Sequence, residues 1–454
     1  MTNLVIRPQW ESALHESIEV RQTSAMLRIE LGADVITRNQ DEWSRTIRDE
    51  VRLSAYPLAL WLASSWWRLR YEPLPLSAPT RSWRMAHELS AAGYGYVWPR
   101  MLFAADGEDV QVWATQSVPE SKASVRYLTN AHQILSVSSF ERAVDEFIDC
   151  VISRLDAVGV AHTELHDVWA EVVQERADTS VAALRRLEAM LGFDPDGCAD
   201  QLLARLDCLV SEVGASATAE IASICTSLDP GADLDRVVAF SQGSGITGQM
   251  NLPLSTASIT MDRAVPVWQR GRDLARQVRS AVSLNGSAAS DELICGLVGL
   301  QPDQAFDFDL SARAPLGVAI RNGNSAELKF LLRKRNKPGR RFELARFMCD
   351  HLSADHDDVW LPVTDAKTAR QKLQRAFAAE FLCPVQALEN FLSGDFSADA
   401  IDRAAEHFGV AELAVKAQLV NNRLLPSNVL DDYGGGFDFP YVTGQPIANA
   451  PTFA

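Results

Sequence analysis

Arg341-Phe342-Glu343-Leu344-Ala345-Arg346-Phe347-Met348-Cys349-Asp350 begins a helix directly after a basic turn, and the organisation of this 454-residue chain can be read outward from it. The turn is Arg333-Lys334-Arg335-Asn336-Lys337-Pro338-Gly339-Arg340-Arg341, the strongest basic run in the sequence, with Pro338-Gly339 as its turn signal. A second segment, Arg375-Ala376-Phe377-Ala378-Ala379-Glu380-Phe381-Leu382-Cys383-Pro384, lies downstream. A third follows, Ala404-Ala405-Glu406-His407-Phe408-Gly409-Val410 with Ala414, Val415 and Leu419, and two more, Trp268 to Arg279 and Glu292 to Leu300, lie upstream.

Towards the N-terminus the pattern changes. From residue 1 to 159, strands alternate with helices: Ala25 to Thr37 reads as a strand, Glu42 to Arg70 as helix, Tyr96 to Ala104 with Val110 to Ala114 as a hairpin about Asp106-Gly107. Gln133 to Val137 reads as a strand and Phe140 to Leu155 as a helix. Eight of the eleven tryptophans fall between Trp10 and Trp113; Trp61, Trp66 and Trp67 share helical spacing with Leu58 and Leu62, which favours core packing over a binding surface. Over 160–229, Leu165, Trp169, Val172 and Val173, then Ala182, Leu184, Leu187 and Leu191, recur every three or four residues, so a helical connector or bundle is predicted, with Gly192 and Gly214 as stops. A Gly- and Ser-rich loop or linker is expected over 230–261, a domain over 262–425 and a tail over 426–454. The predicted class is α+β and mainly helical, with an aromatic-rich α+β domain first.

Lys and Arg number 43 against 59 Asp and Glu, a formal charge of −16, so most of the surface repels phosphate backbones. Nucleic-acid contact would need a local basic patch, for which Arg333, Lys334, Arg335, Lys337, Arg340 and Arg341 are the candidates. A composition 47% hydrophobic and 22% charged excludes disorder and collagen-like repetition. The seven cysteines are widely spaced with no CxxC pair, which reads as reduced thiols. The first residues lack a signal-peptide pattern, and the most apolar stretch, Ala55 to Trp67, is broken by Pro57 and shorter than the ~20 residues that span a bilayer. A cytoplasmic location without a membrane segment is expected.

Three motifs look chemical. Gly243-Ser244-Gly245-Ile246-Thr247-Gly248 has the letters of a dinucleotide fingerprint after a candidate strand Val237 to Phe240, but Asn251-Leu252-Pro253 follows where a phosphate-binding helix should open. His87-Glu88 starts like a zinc-protease HExxH, yet Ala91 stands in the second histidine's place. His162 and His166 are four apart, but Thr163 is a natural N-cap that leaves His162 outside the helix.

The C-terminal helices carry a family resemblance. The frame of Arg341 to Asp350 resembles the RFTLAHELGH segment of ImmA/IrrE-type zinc metallopeptidases, and Arg375 to Pro384 resembles that family's ANxFAAELLMP helix, in the right order. Ala404 to Val410 with Ala414, Val415 and Leu419 is similar to its closing helix pair, and Trp268 to Arg279 and Glu292 to Leu300 resemble the helices that open its domain. The likeness runs from about Asp262 to Leu425 and implies a zincin-like domain. In the family, two histidines four apart and a later glutamate hold zinc, and the glutamate after the first histidine acts as base. Those positions here are Arg346, Asp350, Leu373 and Phe347. A guanidinium has no lone pair for a metal, Phe takes no proton, Leu cannot ligate, and a lone Asp350 is not a zinc site.

The resemblance therefore implies a pseudo-enzyme without a cofactor, with Arg346 and Asp350 closing the former site as an i, i+4 ion pair that Glu343 joins, and Phe347 and Leu373 filling it. Arg ahead of Asp is the weaker order on a helix, so a solvated charged face is the competing expectation. Cys349 and Cys383 are expected to be packing residues. A metallopeptidase with displaced zinc ligands would draw on His351, His356 and Glu380, with Asp355, Asp357 and Asp358 nearby; a nucleic-acid-associated module would use the basic run. Helix-turn-helix rhythm over Ala404 to Leu419 is a weak DNA-reading signal, because Glu412 sits beside Lys416 and Gln418. Active relatives cleave helix-turn-helix repressors in mobile elements and stress responses, so the implied partner is a protein, either repressor-like or a neighbouring-gene product.

Overall fold

A computed structural model describes residues 3–118, 123–254, 259, 262, 264–306, 314–323, 327–426 and 429–430. Parts of the expected linker (255–258, 260 and 261) and nearly all of the expected tail (427, 428 and 431–454) lie outside the described residues. Among the described residues helix accounts for about 50% and strand for about 17%, an α+β composition weighted to helix. The chain divides into two compact units, the first ending at Leu203 and the second beginning at Ala204. That division falls inside the stretch read as a connector: the Glu164–Ala177 and Thr179–Met190 helices belong to the first unit and the Ala215–Ala222 helix to the second.

In the first unit, Leu4–Trp10 and Val51–Ser54 flank Ser24–Leu31 in an antiparallel sheet, and Arg100–Ala105, Asp109–Thr115 and Ala131–Ser136 form a second. Over 24–31, buried and half-buried residues largely alternate, the period of a strand with one face on the core. Ser136 caps the long Val137–Ala157 helix, which buries Phe140, Val144, Phe147, Ile148 and Val151 on one stripe. The helix expected over Glu42 to Arg70 is corrected. Val51 and Leu53 are buried and Arg52 exposed, a two-residue period that pairs as a strand, and helix begins only at Tyr56–Ser64, where Pro57 occupies the first turn. Trp61, Trp66 and Trp67 are buried, as core residues should be.

In the second unit, Ile246–Gln249, Glu327–Leu331, Gly317–Arg321 and Trp360–Val363 form an antiparallel sheet in that spatial order. The loop expected over 230–261 is partly ordered structure. Asp229 accepts the Ala232 N–H at 2.9 Å and Pro230 stands in the first turn, so a helix runs Pro230–Ser241, including the Val237 to Phe240 segment read as a strand. The glycine motif then serves close packing. A Cβ on Gly248 would sit 2.5 Å from the Val298 carbonyl oxygen, and one on Gly245 2.7 Å from that of Phe330. The helices Val267–Ala281, Asp291–Val298, Lys337–Ser353, Ala369–Leu382, Ala398–Phe408 and Glu412–Asn421 share one core centred on Phe347, Phe377, Phe381 and Phe408. Gly271 lets the first of these cross Ala369–Leu382 closely, since a Cβ there would meet the Leu373 carbonyl oxygen at 2.5 Å.

Candidate functional site

The Lys337–Ser353 helix starts earlier than Arg341 because Asn336 caps it, its Oδ1 accepting the Gly339 N–H at 2.7 Å. It is buried nearly all round from Arg340 to Asp350 although five charged residues lie in that span. Such a helix requires a partner for every charge. For Arg346 and Asp350 the partners come from the Ala369–Leu382 helix, capped by Thr368, and from the loop that leads into it; Arg340, Arg341 and Glu343 find theirs in other segments.

Asp350 and Arg370 form a two-pronged ion pair, Nε to Oδ1 and Nη2 to Oδ2, each 2.8 Å. The third nitrogen of Arg370 reaches Asp358 Oδ2 at 2.7 Å and Ser216 Oγ at 3.1 Å, and Asp358 Oδ1 in turn accepts the Ala217 N–H at 3.2 Å. Beside this cluster, Glu220 Oε2 accepts from Thr368 Oγ1 at 2.8 Å and Gln371 Nε2 at 2.9 Å. Burial pushes the Glu220 and Asp358 carboxyls above their usual range. Burial alone would lower the Arg370 guanidinium, but Asp350, aided by Asp358 and Glu220, more than reverses that, so its proton is held more tightly than normal.

The expected Arg346–Asp350 ion pair does not form. Arg346 instead donates through Nη2 to the Thr364 carbonyl at 2.7 Å and to Gln371 Oε1. Its Nε has no hydrogen-bond partner. Burial, with repulsion from Arg375 and Arg333, pushes its guanidinium down to about 9. Asp350 prefers Arg370 because a planar fork from another helix meets a carboxylate with two parallel bonds, which the Arg-before-Asp order on one helix does not favour. Nor is the charged face solvated: Arg346 and Asp350 are both buried. Glu343 stays out of that cluster as well. Its carboxylate accepts the backbone N–H groups of Arg333 and Lys334 at 3.0–3.1 Å, and Gly317 gives it room, since a Cβ there would lie 2.1 Å from its Oε1. Phe347 is fully buried against Phe330 with ring centroids 5.7 Å apart, and Leu373 is buried.

The displaced-ligand candidates do not converge. His351 is half-buried on the helix, its imidazole pushed down to about 4 by burial and the Arg321 cation. His356 is exposed, as are Asp355 and Asp357. Glu380 is buried and bonds Arg276 at 2.9 Å and the Val385 N–H at 3.4 Å. Among the described residues no group of three or more His, Cys, Asp or Glu could hold a metal ion. A zinc ion would not fit the four positions either, because both oxygens of Asp350 are already bonded to Arg370 and the other three side chains offer no lone pair.

The basic run is not a free patch. Arg333 pairs with Asp365 through two bonds of 2.7 Å, Arg340 donates to the carbonyls of Lys334 and Ala305, and Arg341 to Asp291 and to the carbonyls of Gly409 and Ala289. Lys337 also pairs with Asp291. Lys334 and Arg335 are exposed. The last helix pair offers little for DNA: Lys416 bonds Glu412 at 3.2 Å, and Gln418 is buried against the Cys383 carbonyl at 2.9 Å. Cys349 and Cys383 are buried packing residues, and burial raises both thiols, that of Cys383 to about 12.

In the first unit, His87 is a core histidine. It lies between Glu72 Oε2 at 2.9 Å and the Phe103 carbonyl at 3.0 Å, with its ring stacked on Trp83. His166 completes a capping box with Thr163.

Sequence reasoning missed Arg370, Glu220 and Gln371, and named Asp358 only as a neighbour of the displaced-ligand candidates. One signal was present: Glu220 is the only charged residue in the run Gly214 to Leu228, so a buried helix carrying a lone carboxylate had to find donors elsewhere. No helix of the described residues is long and apolar enough to cross a membrane. Comparison with protein-family models, curated proteins and solved structures finds no match to this chain.

Proposed function

We propose that residues 262–425 form an ImmA/IrrE-like, zincin-like domain whose zinc centre has been replaced by a salt-bridged cross-link, and that the chain acts as a non-catalytic, protein-binding regulator or scaffold. The observation that carries the reading is the Asp350–Arg370 clamp. At the four positions where the resemblance would put two ligands, a base and a third ligand, this chain has a bonded guanidinium, a buried phenyl ring, a carboxylate with both oxygens engaged and a buried leucine. These groups tie two helices together and offer water no activated site. With the chemistry gone, the surfaces that recognise a partner are what remains to be used. The partner implied by the resemblance is a helix-turn-helix repressor or a neighbouring-gene product, in mobile-element or stress-response regulation.

Elemental mass spectrometry of protein purified without added zinc tests the reading first. Substoichiometric metal, with candidate repressors retained on immobilised protein and left uncleaved, is the expected result. One tightly bound zinc per chain, or chelator-sensitive cleavage of a repressor, would sink it and send attention to His351 and its neighbours.

A further inference from the structure

A groove of about 220 Å³ opens in the second unit where the Val267–Ala281, Lys337–Ser353, Ala369–Leu382 and Glu412–Asn421 helices meet. Its floor is made by small residues, Ala376 and Ala379 from one helix and Ala414 and Ala417 from another. Trp268 stands at the wall, with the Arg272 guanidinium 5.6 Å over its ring. Three cations line it, Arg272, Lys334 and Arg375, and none of the described lining residues is Asp or Glu. In a chain of net charge −16 that is a local reversal of sign.

The cations are incompletely satisfied. Arg375 is 6% exposed, donates through Nη2 to the Ala366 carbonyl at 3.0 Å, and has no hydrogen-bond partner for Nε. Arg272 Nε also lacks one, with Glu380 3.8 Å away and more closely held by Arg276 at 2.9 Å. Asn421 Oδ1 is a third buried polar atom of the lining without a partner. Buried donors are ordinarily satisfied, so the unpaired guanidinium nitrogens of two lining side chains suit the groove to an acceptor, to which the Asn421 oxygen contributes nothing.

We propose that this groove docks an acidic segment of a partner protein, a carboxylate meeting Arg375 and Arg272 while an adjacent aromatic or branched side chain lies on the alanine floor against Trp268. Charge complementarity selects the occupant. A nucleic-acid strand would bring a continuous line of phosphates against an acidic molecule, whereas a short acidic peptide brings a few charges to three cations and has the apolar side chain that the floor requires. The inference rests on the protein-binding reading above and deepens it by naming the surface and the partner's chemistry.

The test is fluorescence anisotropy on the full chain with fluorescein-labelled pentapeptides Asp-Asp-X-Asp-Asp, X being Phe, Tyr, Trp or Leu. Saturable binding by at least one is expected, weakened tenfold or more when its Asp residues become Asn, and weakened as salt rises. Arg375→Met should cost tenfold or more, and Ala414→Phe, which fills the floor, should abolish binding. Should Arg375→Met fail to fold, Lys334→Glu at the exposed rim is expected to weaken binding several-fold.

No binding by any peptide, or binding untouched by these variants, would overturn the proposal. Asp431, Asp432 and Asp438, with Phe437 and Phe439, carry the same chemistry within this chain. Binding seen only after truncation at Leu430 would give the groove to that segment and overturn the partner assignment. The metal measurement does not involve the groove: a zinc-loaded chain that binds the peptides sinks the pseudo-enzyme reading alone, and a zinc-free chain that binds none sinks only the groove.

Discussion

Arg370 and Arg375 stand on the same helix and both are largely withdrawn from water, yet one is saturated with partners and the other is not. Arg370 has two carboxylates and a serine hydroxyl; Arg375 has one carbonyl, an unpaired Nε and a groove lined without a carboxylate. The difference teaches that a buried charge does not by itself mark a functional site. A closed network has used its hydrogen-bonding capacity on the fold, and what is left over elsewhere is available to a ligand.

The comparison breaks most readily at Arg370. Arg370→Met leaves Asp350 and Asp358 buried without their counter-charge, and a loss of roughly 3–5 kcal/mol is expected in urea unfolding. Arg375→Met removes an incompletely paired charge and replaces it with apolar volume of similar length, so its cost should be about 1 kcal/mol or less. Equal losses from the two variants would show that the contrast drawn between them is empty. Gly271→Ala is expected next, at about 1–3 kcal/mol, because the new methyl group meets backbone of the Ala369–Leu382 helix that cannot swing aside. Thermal unfolding of that variant together with peptide binding would sharpen the contrast: moving the Arg272-bearing helix should disturb the groove more than the Asp350–Arg370 clamp.

Much of this arrangement could be read from the chain, and the failures have physical causes. The helix around Arg346 was legible from the turn residues before it, which are local, and the one around Arg375 only through the family resemblance. The Pro230–Ser241 helix was hidden by a Gly- and Ser-rich context, although Asp229-Pro230 is an N-terminal signal. Glu42 to Arg70 was over-extended because charged residues before Tyr56 concealed the two-residue period of Val51 and Leu53. At the site, the resemblance points to Arg346, Phe347, Asp350 and Leu373, but Asp350's partner is 20 residues away and Asp358 enters the sequence reading only as a neighbour of the displaced-ligand candidates. Spacing along one helix cannot reveal a bond that tertiary structure supplies. The unpaired atoms of the groove belong to three separate helices and leave no pattern in any of them.

A pH experiment probes the edge of the closed network. His351 has an ordinary value of 6.5 when exposed and about 4 in the fold, where burial and Arg321 disfavour its cation. Between those values the unfolded chain binds a proton that the folded chain does not. This residue therefore leaves stability unchanged above pH 6.5 and subtracts from it progressively as pH falls towards 4. His351→Gln should flatten the wild-type decline across that window, read from urea midpoints at half-unit steps. Identical pH profiles for the two proteins would mean that His351 is not held neutral.

The smallest effect is expected at Lys337, and its size separates an occupied basic run from an available one. Lys337 pairs with Asp291 and lies 5.5 Å from the Phe306 ring, but its side chain is 57% exposed. Asp291 keeps Arg341, whose guanidinium is buried and also bonded to the Gly409 and Ala289 carbonyls, so removing the lysine leaves no uncompensated charge. Lys337→Gln should cost about 0–1 kcal/mol and should cost still less at high salt. Its affinity for duplex DNA should match the wild type's and be equally weak at physiological ionic strength. If that substitution instead lowered DNA affinity together with the salt slope, the run from Arg333 to Arg341 would be a phosphate-binding surface after all, and its internal ion pairs would be what the nucleic acid displaces.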